Sequence, residues 1–296
     1  MIAYATADYV RAALPDAFGT TATTDYDAAL RMLAERASRE IDALCGRRFY
    51  PELATRYLPG SGTRQLYVEE LLAVDSIAMS GDDGATHTYT LAADDYFTLG
   101  GARAEYGHTP ICRIDMNVNS LGDYGHWYRG QRSVKIVGTW GWHDDYAFAW
   151  EDSGDTVENA PLTAAGTSIT VNDADGVDAW GATPRFSAGQ LLRIGSEYAQ
   201  VTVVTAAATN TLTVRRGILG TTAAEHAQDT AIYVYQAPAM VKQAVVIQAA
   251  RWFKRGQQAY QDVSASAEMG QLTYAQKLDP DIATMLYAAG LRRVTV

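Results

Sequence analysis

Cysteine is scarce in these 296 residues: there are two, Cys45 and Cys112, far apart and in no CxxC pair. That spacing excludes a zinc ribbon and leaves no disulfide framework. Long apolar runs are missing too, since no stretch reaches the roughly 18 to 20 uncharged apolar residues of a membrane span, and Met1 to Tyr9 has neither a basic nor an apolar leader region. The sequence therefore predicts no membrane partner and no secretory signal. Positive charge is in deficit, with Lys+Arg 24 against Asp+Glu 34 and a net charge of −10. Coating nucleic acid over a whole surface needs many phosphate-neutralising cations, so any nucleic-acid contact is local or transient. Catalytic signatures are absent as well: no GxxxxGK[ST], no GxSxG elbow, and no HExxH among His87, His108, His126, His143 and His226. The expectation is a protein that is not an enzyme and needs no cofactor or metal. His143-Asp144-Asp145 is the most metal-like cluster, but adjacent residues in a turn-rich stretch read as a solvated turn.

What the chain does contain is a change of period. Thr6 caps a short helix through Val10 and Leu14, and a stronger one follows from Thr24, with Asp27 in capping-box spacing and Leu30, Leu33, Ala37, Ile41 and Leu44 three and four apart. Gly46 ends it. From about residue 53 the period becomes two, with strands expected at 55–58, 65–68, 72–79, 89–91, 111–116 and 133–140. Residues 143–160 are acidic and turn-rich and read as a linker. Further short strands are expected at 168–171, 191–194, 198–204, 211–214 and 231–235, close enough together for a small barrel or sandwich. Pro238 opens a helix through Val241, Val245, Ala249 and Trp252, residues 257–278 read as a long loop, and Asp279-Pro280-Asp281 starts a last helix.

The predicted fold class is α+β. A discontinuous host domain, 1–142 and 238–296, carries helices and an antiparallel β unit, and an all-β domain, 161–237, is inserted after the linker. Charge is unevenly shared: residues 237–296 hold seven basic and four acidic side chains, +3, which leaves −13 for the rest. A basic end on an acidic body suits head-to-tail complementarity with another subunit or partner, and helix C-termini also attract basic residues. Tyr 18 and Trp 6 are high counts, and many crowd between residues 124 and 150. Trp127, Trp140, Trp142 and Trp150 are candidates for an aromatic interface, with core packing, a subunit contact and a glycan platform all open.

The flanks resemble the head-tail connector, or adaptor, proteins of tailed bacteriophages. The matching pieces are Tyr9-Val10-Arg11, the helix Ala34 to Asp42 leading to Cys45-Gly46-Arg47-Arg48-Phe49, the strand Val134 to Trp142, Pro238 to Arg255, Ser264 to Tyr274 and Leu286 to Arg293. Leu212 to His226, with Leu192 to Glu197, is similar to a small β module of phage structural proteins. The resemblance implies a helical connector-type host domain and a ring, expected to be a homododecamer. Such a ring sits in the virion neck, is made in the host cytoplasm, and joins the capsid portal to a tail, stopper or tail-terminator protein. DNA passes through its lumen without sequence-specific binding. By the same resemblance the C-terminal residues Arg292, Arg293, Val294, Thr295 and Val296 are candidates for portal binding. The loop holding Tyr260, Ser264, Ser266, Glu268 and Tyr274 is a candidate for contact with a subunit or the channel. The alternative is a peripheral neck or tail protein with a glycan-binding β module.

Overall fold

The computed structural model describes residues 2–18, 26–101, 105–106, 108–120, 122, 124–179, 181, 183–257, 263–266, 271–274 and 278–292. Two compact units divide the chain. The first comprises Met1–Arg47, Trp150–Ile218 and Thr222–Val296, and the second Arg48–Ala149 with Leu219–Thr221.

The α-helices among the described residues belong to the first unit. They are α1 (Ala7–Ala12), α2 (Pro15–Phe18), α3 (Asp27–Cys45), α4 (Ala239–Gln257) and α5 (Pro280–Ala288). Helix α3 buries Leu30, Ala34, Ala37, Ser38, Ile41 and Cys45, a stripe of three-and-four spacing rotated away from Leu33 and Leu44. It packs on α1 and α4, and α4 on α5. Gly46 stops α3 in the left-handed region at φ 64°, where a side chain is strained, and Arg47 N–H closes back on Asp42 O. Thr24, half of the expected capping box, lies outside the described residues. Pro280 at the first position of α5 and the Asp279 carboxylate accepting from Asp281 N–H form the expected N-terminus.

Sheet strands outnumber the helices. In the second unit β1 (Glu52–Gly60), β2 (Gln65–Met79), β3 (Tyr89–Leu91), β4 (Tyr96–Gly100), β5 (Glu105–Tyr106), β6 (Ile111–Met116) and β7 (Gly130–Trp140) form an antiparallel sheet in the order β1-β7-β2-β6-β4-β5, with β3 on β2. Its core includes Leu71, Ile77, Met79, Ile114, Ile136, Trp127 and Trp140. Trp127 is wholly buried, and its indole N–H donates to Arg64 O (3.1 Å) and Ile114 O (3.3 Å), so the ring is buried without an unpaired donor.

In the first unit β8 (Trp150–Thr156), β9 (Ser168–Thr170), β10 (Leu191–Ile194), β11 (Glu197–Thr205), β12 (Thr211–Arg216) and β13 (Ala231–Tyr235) pair antiparallel in the order β8-β13-β10-β11-β12-β9. The edges meet beyond β8, where Glu158 N–H donates to Thr170 O at 2.8 Å. The six strands thus curl into a small barrel around Ile169, Leu192, Ile194, Leu212, Ile232 and Phe186. A hairpin, β14 (Val263–Ser266) and β15 (Gln271–Tyr274), occupies part of the expected loop.

The fold is therefore predominantly antiparallel β, and the α+β expectation with a helical connector-type host domain is corrected. Unrecognised strands account for much of the difference. β8, with the sequence WEDSGDT, turns Ser153 and Asp155 inward where a sequence pattern looks for apolar side chains. Ser153 Oγ donates to Ile232 O at 2.7 Å, and Asp155 accepts from Arg185 and from three backbone N–H groups, so both polar groups are satisfied in the interior. The stretch 65–79 is one strand rather than two. Glu70 sits at φ 54° and the pairing with β6 slips between Tyr67 and Leu71, a bulge that bends the strand without ending it.

Candidate functional site

A polar cleft of the first unit lies where α1 meets the barrel. Asp8, in the first turn of α1, accepts from Arg11 Nη1 at 2.7 Å and from Ser187 Oγ at 2.6 Å, which ties the helix to the loop before β10. Beside this tie is a cleft of about 150 Å³ walled by Tyr9, Glu151, Asp152, Asp178, Arg185 and Gln236. Its one arginine is already committed: Arg185 donates to the fully buried Asp155 carboxylate at 2.9 Å and to Val177 O at 2.9 and 2.7 Å. The net lining is therefore acidic. Burial pushes the Glu151 carboxyl above its ordinary range and neighbouring Asp178 adds to that, while Lys242 and a hydrogen bond from Gln236 pull it back. Glu151 Oε1 is shielded from solvent and has no hydrogen-bond partner among the described residues. No histidine lines the cleft, and the hydroxyls of Ser153 and Ser187 are spent on Ile232 O and Asp8. Four carboxylates around a committed guanidinium favour a positively charged group and disfavour phosphate.

A second polar centre holds the barrel together. The Glu197 carboxylate, wholly buried, accepts from Arg216 Nε (2.8 Å) and Nη2 (2.5 Å), Gly217 N–H (3.1 Å) and Ala224 N–H (3.0 Å). His226 Nε2 lies 2.9 Å from the same group. An ionised carboxylate only accepts, so Nε2 carries the proton. Arg216 also donates to Thr163 O (2.6 Å), Gly166 O (3.1 Å) and Ala224 O. Burial alone raises the Glu197 carboxyl, but the bonds from Arg216, Ala224 and His226 outweigh it and leave it below the ordinary range. All donors and acceptors are turned inward, so this centre is structural.

The residues singled out in the sequence are scattered. Trp127 and Trp140 are buried, the latter donating to Ala54 O at 2.9 Å beneath the Arg56 guanidinium. Trp142 is half-buried edge-on to Phe49, and Trp150, in the first unit, is half-buried against Tyr198 and Tyr235 with Arg193 over its ring. His143 Nδ1 accepts from Asp145 N–H at 2.9 Å, and no group of three or more His, Cys, Asp or Glu converges as a metal set among the described residues. Arg292 is exposed, whereas Arg293, Val294, Thr295, Val296, Tyr260 and Glu268 lie outside the described residues. Ser264 and Ser266 lie on β14 and Tyr274 on β15. Glu151 was missed because β8 was not recognised, while Glu197, Arg216 and His226 fall in the stretches 192–197 and 212–226.

No family model, curated protein or solved structure matches the chain. No helix among the described residues is long and apolar enough to cross a membrane.

Proposed function

We propose that this chain is a structural virion protein, a subunit of a ring at the neck that joins the capsid portal to the tail and extends the DNA channel. The observation that supports this reading best is the segregation of charge. The first unit holds an acidic cleft formed by Asp8, Glu151, Asp152 and Asp178, while residues 237–296 carry +3 against −13 for the remainder. A surface of one sign and a segment of the other are what a repeating head-to-tail contact requires, because each copy offers both halves. The ordered resemblance of the flanks supplies the ring. Ring closure is expected at twelve copies, with portal on one side, tail or stopper protein on the other, and synthesis in the host cytoplasm. The test is solution mass by light scattering on a sizing column, alone and with the cognate portal. A large ring, or one copy bound per portal subunit, supports the proposal. A monomer indifferent to portal refutes it.

A further inference from the structure

Three side chains of the first unit meet where the barrel gives way to α4. Lys242, near the start of α4, donates from Nζ to Gln236 Oε1 at 3.0 Å, and Gln236 directly follows β13. The amide carbon Cδ is one C=O bond, about 1.2 Å, from that oxygen, so Nζ stands within about 4.2 Å of it. The other end of the same amide is hydrogen-bonded to the Glu151 carboxylate on β8. A carboxylate only accepts, so Gln236 Nε2 is the donor. One amide is thus held with its oxygen toward an amine and its nitrogen toward a carboxyl group.

Packing keeps the three in place. Lys242 N–H donates to Pro238 O at 2.9 Å, and Tyr235, Ala237 and Val241 beside them are buried. Nζ lies 3.8 Å from the centroid of the Tyr9 ring, so an aromatic face covers one side of the amine. Glu151 Oε1 is shielded from solvent and has no hydrogen-bond partner among the described residues, which leaves it free to take up a proton. Burial holds this carboxyl above its ordinary range, the direction that suits a group that must both take a proton and return it.

We propose that Lys242 and Gln236 join in an isopeptide bond, with Glu151 carrying the protons. Glu151 takes a proton from the Lys242 ammonium. The neutral Nζ then attacks Gln236 Cδ, the new N–C bond forms, and the C=O electron pair moves onto Oε1. As that pair returns, the Cδ–Nε2 bond breaks and its electrons leave with the nitrogen. Nε2 takes the proton held by Glu151 and a second one from Nζ through the same carboxylate, and departs as ammonium. Two protons leave Nζ and two arrive on Nε2, so Glu151 ends ionised as it began and no co-reactant is needed. The link closes the segment 236–242 within one copy and ties the end of β13 to α4, whether or not copies assemble.

The experiment is intact mass of the purified full chain, fresh and after prolonged incubation, followed by tryptic mapping. The expected result is a chain about 17 Da lighter than its sequence, the mass of ammonia. Trypsin then no longer cuts after Lys242, and the fragment 217–251 carries the loss. Lys242→Arg keeps the full mass, and Glu151→Ala forms the bond at least about a hundredfold more slowly. Folding is checked by thermal melting, and the effect of the Glu151 charge on stability is read on the Lys242→Arg background, where no such bond forms. A wild-type chain that keeps its full mass after incubation overturns the proposal without recourse to a variant. So does a loss of about 18 Da, water instead of ammonia, which assigns the bond to Glu151 and Lys242. A loss that persists in Lys242→Arg arises elsewhere in the chain, and a bond formed as fast by folded Glu151→Ala removes Glu151 as the proton carrier; either result overturns the assignment.

Discussion

Replacing Glu197 with Gln isolates one charge inside the barrel. The side chain keeps its shape and one carbonyl oxygen but no longer balances Arg216, whose side chain is 4% exposed. Breaking a buried pair by neutralising one partner costs about 3–5 kcal/mol. Thr163 O, Gly166 O and Ala224 O still accept from Arg216, which places the loss near the lower bound, at about 3 kcal/mol. With a urea slope of about 2 kcal/mol per M, the barrel midpoint falls by about 1.5 M. Gly217 and Ala224 N–H both donate to this carboxylate, so hydrogen exchange at these two amides is the local readout and rises together with the midpoint shift. Because Glu197 is held below its ordinary range when folded, its stabilisation is complete above the unfolded value and lost as pH falls through the folded one. The Gln variant flattens that acid limb. Replacing Glu197 with Leu and Arg216 with Met together strands no charge but leaves Gly217 N–H, Ala224 N–H, His226 Nε2 and the carbonyls of Thr163, Gly166 and Ala224 without these partners, so it recovers only part of the stability. A midpoint unchanged within error, with Gly217 and Ala224 exchanging as slowly as before, would show that the network is not what holds this loop.

Two further outcomes follow from single side chains. Burial pushes the Cys45 thiol up to about 11, so a thiol reagent at mildly alkaline pH labels half-buried Cys112 first and Cys45 only on unfolding, which peptide mapping distinguishes. Early labelling of Cys45 contradicts the packing of α3. Glu151 is raised when folded, so ionising it at neutral pH works against folding, and Glu151→Gln raises the melting temperature there while losing that advantage in acid. A melting temperature lowered at neutral pH would mean that the carboxylate has a stabilising partner.

Local signals in the sequence located most elements. Asp279-Pro280 marked the start of α5, Gly46 the end of α3, and alternation found β1, β6, β7 and the strands from β9 to β13. It failed where polar groups do the work of apolar ones. β8 carries Ser153 and Asp155 into the interior and so has the composition of a linker, and its partners come from Arg185 and Ile232, 30 and 79 residues away. Two strands were expected at 65–68 and 72–79, yet β2 runs through both, with a bulge at Glu70. The acidic cleft depends on long-range neighbours, Asp8 with Ser187 and Glu151 with Asp178, that no spacing along the chain encodes. The Glu197 centre falls in the stretches 192–197 and 212–226, and nothing in either tells that the second closes around the carboxylate of the first.

The order of the barrel strands has a consequence of its own. The first, β8, and the last, β13, are hydrogen-bonded neighbours, with Trp150 opposite Tyr235. The chain thus goes into this domain and comes out of it about 5 Å apart, one strand spacing. The strand that opens the barrel and the strand that closes it are thus held by one ladder, and a pull on either end of this segment is borne by the same hydrogen bonds.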